Sequence, residues 1–419
     1  MATQNRDLST FKSTFVSQIE AGSANTVPAY RAPNSKTAYV KKIIVTNNSG
    51  VAGTFDIGVY ENPFQHGGNT FVAVSGSGYN KFTSAATSTD GINWVARTMP
   101  VSAYWDGIFY GNGLYIATAG ATSLTATDAA TSTDGITWSL TTLPASDGWS
   151  GGAYGNNRYV LSASNAGESI NSATSTNGTT WTLRSKSTST FGNLAYGNGK
   201  FVSVGSQGAS VTTDGITWTT VTIPVSSSNN RTVAYKNGIF VCLVSGTTSA
   251  IISTDALVWE VRTLPTSSLW SSITYGNGVF VGVSGGLGNQ NASTAAVTST
   301  DALTWSVRTL PSSTSWSSVN YGAGLFVAIS GKGYTQTTTA ASSTDGITWS
   351  LRTMPVSAPW GQLAYPQGAD FSNDKYLYRS VALAANTTQS ISYQVMVAPT
   401  EEIRVRSTVP VQVTIMGEV

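Results

Sequence analysis

The stretch STDGITW at residues 343–349 decides how the rest of the chain is read. Close copies end at Trp94 (STDGINW), Trp138 (STDGITW), Trp181 (STNGTTW), Trp218 (TTDGITW), Trp259 (STDALVW) and Trp305 (STDALTW), so with Trp349 there are seven. Successive tryptophans lie 37 to 46 residues apart. A period of this size marks a chain in which each repeat is one supersecondary unit of a solenoid or propeller.

Working outward, each tryptophan is followed by a short alternating run, as in WVARTMP to Pro100, WEVRTLP to Pro265 and WSLRTMP to Pro355. Six of the seven copies keep that proline. Next comes a segment ending in tyrosine, at Tyr110, Tyr154, Tyr196, Tyr235, Tyr275, Tyr321 and Tyr365, and then an Asn-Gly-like pair. An apolar run such as LYIATAG or VFVGVSG follows, and a variable Ser/Thr/Gly stretch leads to the next heptad. Asn-Gly at 112, 198, 237 and 277 suits a type I′ hairpin, which needs two residues with positive φ. Proline at the end of the fourth strand removes a ladder donor and so marks that strand as the outer one. Four antiparallel strands in each of seven units predict an all-β, seven-bladed propeller.

The ends of the array predict how the ring closes. GNTFVAVSG (68–76) is a second strand with no first strand before it, and APWGQLAYPQG (358–368) is a first strand with no second after it. Pairing Trp360–Tyr365 with Thr70–Val74 would complete one blade and bring both ends of the array together. Such ends suit insertion into another domain. The expected organisation is a propeller at 63–370 inserted into a small β-sandwich made of 1–62 and 371–419. From Thr37 a strand is clear in TAYVKKIIVTNN, and residues 1–20 read as an arm or a first strand, so the flanks supply about six strands. These 111 flanking residues hold 18 of the 42 charged residues, a composition the repeats lack.

Charged residues are 10% of the chain, against roughly 25% in ordinary soluble proteins. Ser, Thr, Gly and Asn take the places that Lys and Glu would fill. A net charge of +2 without a basic run gives no footprint for nucleic acid. The start, MATQNRDLST, shows no signal-peptide pattern, and no apolar run reaches the length of a membrane span. A single cysteine, Cys242, rules out an internal disulfide framework and reads as a buried small hydrophobe in a second strand.

VPAYRAPNSKTAYVKKIIVTNNSGVAGTFDIGVY together with YLYRSVALAANTTQSISYQVMVAPTEEIRVRSTVPVQVTIMGEV resembles a small β-sandwich module of tailed-bacteriophage virion proteins. That resemblance implies attachment to and assembly with other virion proteins, and no catalytic residues. A weakly charged surface without an export signal is what a virion surface protein made in the host cytoplasm and released by lysis would show, and the symmetry of surface fibres and spikes suggests a homo-oligomer such as a trimer. The heptads resemble the Asp-box repeats of sialidase-like propellers, Ser-x-Asp-x-Gly-x-x-Trp, with one residue fewer between Asp and Gly, and STDALVW and STDALTW lack the Gly.

Asp90, Asp134, Asp214, Asp255, Asp301 and Asp345, with Asn177 in the seventh copy, invite a metal reading. Calcium wants six to eight oxygen ligands around one ion, whereas each turn offers one carboxylate. We therefore read these residues as turn caps and expect neither metal nor cofactor. The heptad tryptophans read as wedges between blades. A second series, Trp105, Trp149, Trp270, Trp316 and Trp360, with Phe191 and Arg231 in two units, opens the first strands near the mouth of the ring, where packing competes with sugar stacking. Arg97, Arg184, Arg262, Arg308 and Arg352 all fall three residues after a heptad tryptophan, so they point around the ring and cannot form one carboxylate clamp. Outside the heptads the acids are Asp106, Asp128, Asp147, Glu168, Glu260 and Asp370, with His66 at the array edge, and no catalytic pair stands out.

The variable stretches between second and third strands are the candidate binding loops, because a rigid scaffold leaves recognition to its loops. Tyr79, Phe82 and Tyr334 place aromatic faces there among hydroxyls and amides, a composition suited to carbohydrate. In a four-stranded antiparallel blade the hairpin between strands one and two shares a face with the heptad turn. The variable loops share the other. The expected function is a non-enzymatic virion surface protein of fibre, spike or decoration type that displays these loops to a host-surface glycan. The alternatives are a glycan-cleaving tail enzyme and a decoration protein without a ligand.

Overall fold

In the computed structural model the repeat region is described from residue 70 to 366, apart from 77–79, 121–126, 164–170, 187–193, 206–207, 226–230, 237, 286–291 and 332–334; outside it the description covers chiefly the backbone of eight strands. By internal contacts the chain divides into two units, Met1–Gln65 with Gly368–Val419, and His66–Gln367. All regular structure among the described residues is β.

Four strands precede the repeats: β1 (Lys12–Ile19), β2 (Val27–Arg31), β3 (Ala38–Asn47) and β4 (Gly53–Glu61). Blade 1 contributes β5 (Phe71–Ser75), β6 (Phe82–Ser88) and β7 (Val95–Ala103). Blade 2 is β8 (Trp105–Gly111), β9 (Leu114–Ala119), β10 (Asp128–Ser132) and β11 (Ser139–Thr142). Blade 3 is β12 (Trp149–Gly155), β13 (Arg158–Ala163), β14 (Asn171–Ser175) and β15 (Thr182–Ser185). Blade 4 is β16 (Leu194–Gly197), β17 (Lys200–Gly205), β18 (Gly208–Thr212) and β19 (Thr219–Val221). Blade 5 is β20 (Arg231–Lys236), β21 (Ile239–Val244), β22 (Thr247–Ser253) and β23 (Glu260–Ser268). Blade 6 is β24 (Trp270–Gly276), β25 (Val279–Ser284), β26 (Ser293–Ser299) and β27 (Ser306–Thr314). Blade 7 is β28 (Trp316–Gly322), β29 (Leu325–Ser330), β30 (Thr337–Ser343) and β31 (Ser350–Ala358). Then β32 (Trp360–Ala364) returns to blade 1, and β33 (Tyr376–Leu383), β34 (Thr388–Val397), β35 (Glu401–Ser407) and β36 (Val411–Glu418) finish the chain.

Each blade is a four-stranded antiparallel sheet in chain order, and the first strands contact one another in a closed circle from β8 through β28 to β32 and back. The closing sheet has the order β32-β5-β6-β7, with Ala364 opposite Val72, Leu363 opposite Ala73 and Trp360 opposite Ser75. The hairpins carry the expected paired positive φ, for example Asn112 (44°) with Gly113 (79°) and Asn277 (45°) with Gly278 (80°). The fourth strand is outermost in every blade. Pro100, Pro265, Pro311 and Pro355 lie within nine-residue fourth strands, not at their ends, and an edge strand tolerates this because its outer N–H groups have no ladder partner.

Tyrosine followed by glycine explains how blades stack. A Cβ on Gly111 would lie 2.2 Å from Tyr154 Cβ, and Gly155, Gly197, Gly276 and Gly322 stand in the same way against Tyr196, Tyr235, Tyr321 and Tyr365. Each tyrosine ring therefore occupies the space of the preceding blade's missing side chain. Blade 5 has Lys236 at that place, and its ammonium lies 5.5 Å from the centre of the Tyr275 ring.

The flanking unit is two four-stranded antiparallel sheets, β1-β36-β3-β34 and β2-β35-β4-β33. That is eight strands where alternation predicted about six. In both sheets strands from the start and the end of the chain alternate, the connectivity of a jelly roll. Neighbouring β4 and β33 form an antiparallel hairpin, with Gly53 opposite Leu383 and Gly58 opposite Tyr376, and the whole propeller occupies its loop.

Candidate functional site

The heptad turns are caps. Asp90 Oδ1 accepts the N–H groups of Ile92 (2.9 Å) and Asn93 (2.8 Å), while Ser88 donates to it (2.9 Å) and accepts the Gly91 N–H (2.8 Å). The Asp134, Asp214 and Asp345 turns repeat this pattern, Asp255 and Asp301 keep the two backbone bonds, and Asn177 Oδ1 does the same for Thr179 and Thr180. Burial opposes ionisation of Asp90, but the Asn93 and Ile92 N–H groups outweigh it and hold the carboxyl well below the usual range; Asp134, Asp214 and Asp345 are depressed in the same way. At Asp301 the Thr304 and Leu303 N–H groups dominate and hold it at about 2, and Asp255 is lowered likewise. Among the described residues no three His, Cys, Asp or Glu side chains gather as metal ligands.

Trp105, Trp149, Trp270, Trp316 and Trp360 are 0–1% exposed, which corrects their candidacy for sugar stacking: neither ring face is open. Each fills the gap beneath the blade before it. Trp360, for instance, packs with Ile329, Ala340 and Met354 of blade 7. Arg231 takes the ladder position of these tryptophans, opposite Val244, because β20 lacks the one-residue bulge that follows Trp270. Phe191 lies outside the described residues. The heptad tryptophans pack between blades, as Trp94 does with the cluster of Phe71 and Val327. Arg97, Arg184, Arg308 and Arg352 each bond a hydroxyl of their own third strand, Arg262 pairs with Glu260, and Cys242 is buried.

The ring axis holds a cavity of about 160 Å3 lined by all seven first strands, including Ile108, Leu194, Val233, Ile273, Val319 and Leu363. No charged side chain lines it among the described residues. Its polar groups stitch the inner strands together: Ser272 Oγ accepts the Val319 N–H (3.1 Å), Ser318 Oγ the Leu363 N–H (3.3 Å), and Asn320 Nδ2 donates to Leu363 O (3.3 Å). The axis is built for closure.

The loop face differs around the ring. Blades 5, 6, 7 and 1 carry nine-residue fourth strands, whereas those of blades 2, 3 and 4 have three or four residues. Phe82 is half-buried at the start of β6, opposite Ala103. Tyr79, Tyr334, Glu168 and His66 lie outside the described residues. The chain enters blade 1 at Thr70 and leaves it after Ala364, both on the hairpin face, so the loop face carries only the connections within and between blades.

One polar group on the loop face escaped the reading of loops. Lys186 Nζ is buried and donates to Ser162 Oγ (2.8 Å) and Ala163 O (2.9 Å), and Asn171 Nδ2 donates to Asp147 Oδ2 (2.9 Å). Burial pushes the Lys186 ammonium down to about 8, with the nearby Asp147 carboxylate pulling partly back. The aligned repeats carried the signal, since Lys186 stands five residues after Trp181 where the other copies have Met99, Leu143, Ile223, Leu264, Leu310 and Met354.

The propeller is one of a wide class of ring folds. Streptogramin B lyase aligns with 66% of this chain and 95% of its own, at a TM-score of 0.52 and 11% identity. Virginiamycin B lyase from Staphylococcus aureus aligns with 66% and 96%, at 0.51 and 12%. At such identity the likeness shows the fold alone. No family model matches the chain, and neither does any curated protein.

Proposed function

We propose that the protein is a non-enzymatic component of a phage virion surface, anchored to other virion proteins by its flanking unit, with a propeller whose loop face recognises a host-surface glycan. The observation that carries this reading is the insertion itself. A propeller held in the loop of the β4–β33 hairpin, with both connections on its hairpin face, keeps all its variable loops on the side without them. Jelly rolls recur in viral capsid and lectin domains, which supports the anchor by analogy of fold. No carboxylate pair stands out in the sequence, which is why binding is preferred here to cleavage.

The test is adsorption. Replacing Tyr79, Phe82 and Tyr334 by alanine is expected to leave folding and particle incorporation intact and to reduce adsorption to host cells. Unchanged adsorption would reduce the propeller to decoration, and release of reducing sugar from host polysaccharide by the wild-type protein would replace binding with catalysis.

A further inference from the structure

The sequence places Asn-Gly between the first and second strands of blades 2, 4, 5 and 6, and the heptad of blade 3 adds a fifth such pair, Asn177-Gly178. In this dipeptide the side-chain amide lies open to the next backbone nitrogen, because glycine puts no side chain in the way. Backbone conformation does not tell the hairpin pairs apart: φ is 44° at Asn112, 48° at Asn198 and 45° at Asn277. Their side chains differ.

Asn277 Nδ2 donates to Thr344 O in the turn of blade 7 (3.2 Å), and Asn156, in the hairpin of blade 3, donates likewise to Thr213 O in the turn of blade 4 (2.9 Å). Each is a strap to the next blade. Asn177 is held twice over, because its Oδ1 accepts the N–H groups of Thr179 and Thr180 while the Gly178 N–H donates to Ser175 Oγ (2.8 Å). Asn198 is half-buried, and Asn237 lies outside the described residues. Asn112, by contrast, is exposed and makes no hydrogen bond with the described residues. Its neighbour is equally unengaged: in a two-residue hairpin the ladder bonds run between Gly111 and Leu114, and the Gly113 N–H stays outside them.

The geometry points to Asn112 as a site of spontaneous deamidation, at which the folded protein converts a side-chain amide to a carboxylate through a succinimide. Gly113 N attacks Asn112 Cγ; the N–Cγ bond forms, the Cγ–Nδ2 bond breaks, and the amide nitrogen leaves as ammonia with the proton of the Gly113 N–H. Water then opens the ring. Attack at Cγ leaves aspartate, and attack at the main-chain carbonyl leaves isoaspartate, whose backbone runs through Cγ and is one methylene longer. An amide and a water become a carboxylic acid and ammonia, with nothing oxidised or reduced, and the added negative charge lowers the formal net charge from +2 to +1. The nucleophile must come within about 3–3.5 Å of the carbon it attacks, so an amide strapped to another blade has to break that bond before it can turn to its own backbone. Asn112 has no strap to break. The product matters to the ring because a two-residue type I′ loop cannot absorb an extra backbone atom. Blade 3 grips blade 2 at the adjoining residue: Tyr159 OH donates to Gly111 O (3.0 Å), and Tyr154 fills the space of the side chain that Gly111 lacks. Isoaspartate at 112 therefore loosens the contact between these two blades.

The experiment ages the folded full chain at neutral pH and maps its peptides by mass spectrometry, with isoaspartate identified by carboxyl methylation. Asn112 is expected to convert ahead of Asn277 by about two- to tenfold, the factor that one hydrogen bond supplies, and ahead of Asn177 by more. A parallel sample in denaturant separates structure from sequence, because both residues sit in the same Tyr-Gly-Asn-Gly context and the lead of Asn112 should vanish there. Equal rates at Asn112 and Asn277 in the folded chain overturn the site, as does an Asn112 that converts in denaturant and not when folded. A lead that persists in denaturant overturns the structural cause. The consequence for the ring is read from Asn112→Gly, which keeps the hairpin and cannot deamidate. Aged wild type is expected to melt lower than fresh protein while the aged variant holds, and equal loss in both overturns the loosening.

Discussion

Blades 1 and 3 have four antiparallel strands in the same spatial arrangement, yet the corner that blade 1 fills with Val74, Ala85 and Met99 holds Ser162, Ser172 and Lys186 in blade 3. The difference separates what a propeller needs from what this one has added. The ring needs a first-strand tyrosine in every blade, with glycine beneath most of them, capped heptad turns and a closed circle. It does not need a charged side chain in the corner, and the burial of Lys186 in blade 3 costs stability that an apolar corner would have supplied.

The largest expected effect comes from breaking what both blades share. Deleting residues 356–368 removes β32 and exposes the edge of β5, so the propeller should lose its single cooperative melt and aggregate in size-exclusion chromatography. A variant that stays monomeric and melts like wild type would show that blade 1 closes without β32. Next, Met99→Lys installs the blade 3 cation in a corner without its serines or its aspartate. Denaturant unfolding should show a loss of about 3–5 kcal/mol, the cost of an unpaired buried charge.

The converse transplant into blade 3, Ser162→Val, Ser172→Ala and Lys186→Met, should stabilise by about 1–4 kcal/mol at neutral pH. Its pH dependence sharpens the comparison. Folded Lys186 titrates near 8, below its ordinary value of 10.5, so between those values the unfolded chain holds a proton that the folded one has released. Wild-type stability relative to the transplant should therefore rise from pH 8 toward pH 10, and a constant gap would place the ammonium in water.

The turns give a smaller effect that every blade shares. Their carboxylates are depressed, so their contribution is complete above the unfolded value near 4 and is lost as pH falls through the folded values, about 2 at Asp301. Melting temperatures should hold from pH 7 to about pH 5 and fall below pH 4, with Asp301→Asn flattening part of that fall. The smallest effect is expected at Ala302, which adopts φ 61° where five other turns have glycine. Ala302→Gly relieves a left-handed conformation and removes a buried methyl, terms of about 1 kcal/mol each with opposite sign, so stability should change by less than about 0.5 kcal/mol.

The ring was legible because its devices are local and repeated: Asn-Gly hairpins, capped Asp turns and an orphan strand at each end of the array. The flanks were read less fully. Lys12–Ile19 and Val27–Arg31 alternate poorly and pair with strands almost four hundred residues away, so no nearby partner reveals them. The second tryptophan series was open to a binding reading because sequence places it near a mouth without saying that the preceding blade covers it. The polar corner was missed for a different reason. Its members are ordinary residues in isolation and become unusual only beside their six counterparts.

The alternation of strands in the flanking unit bears on what a protease can achieve. A cut in any loop of the propeller severs the backbone once, yet the two pieces remain joined through β36 lying between β1 and β3, through β35 between β2 and β4, and through β32 against β5. Nicking therefore yields two chains that come apart only in denaturant.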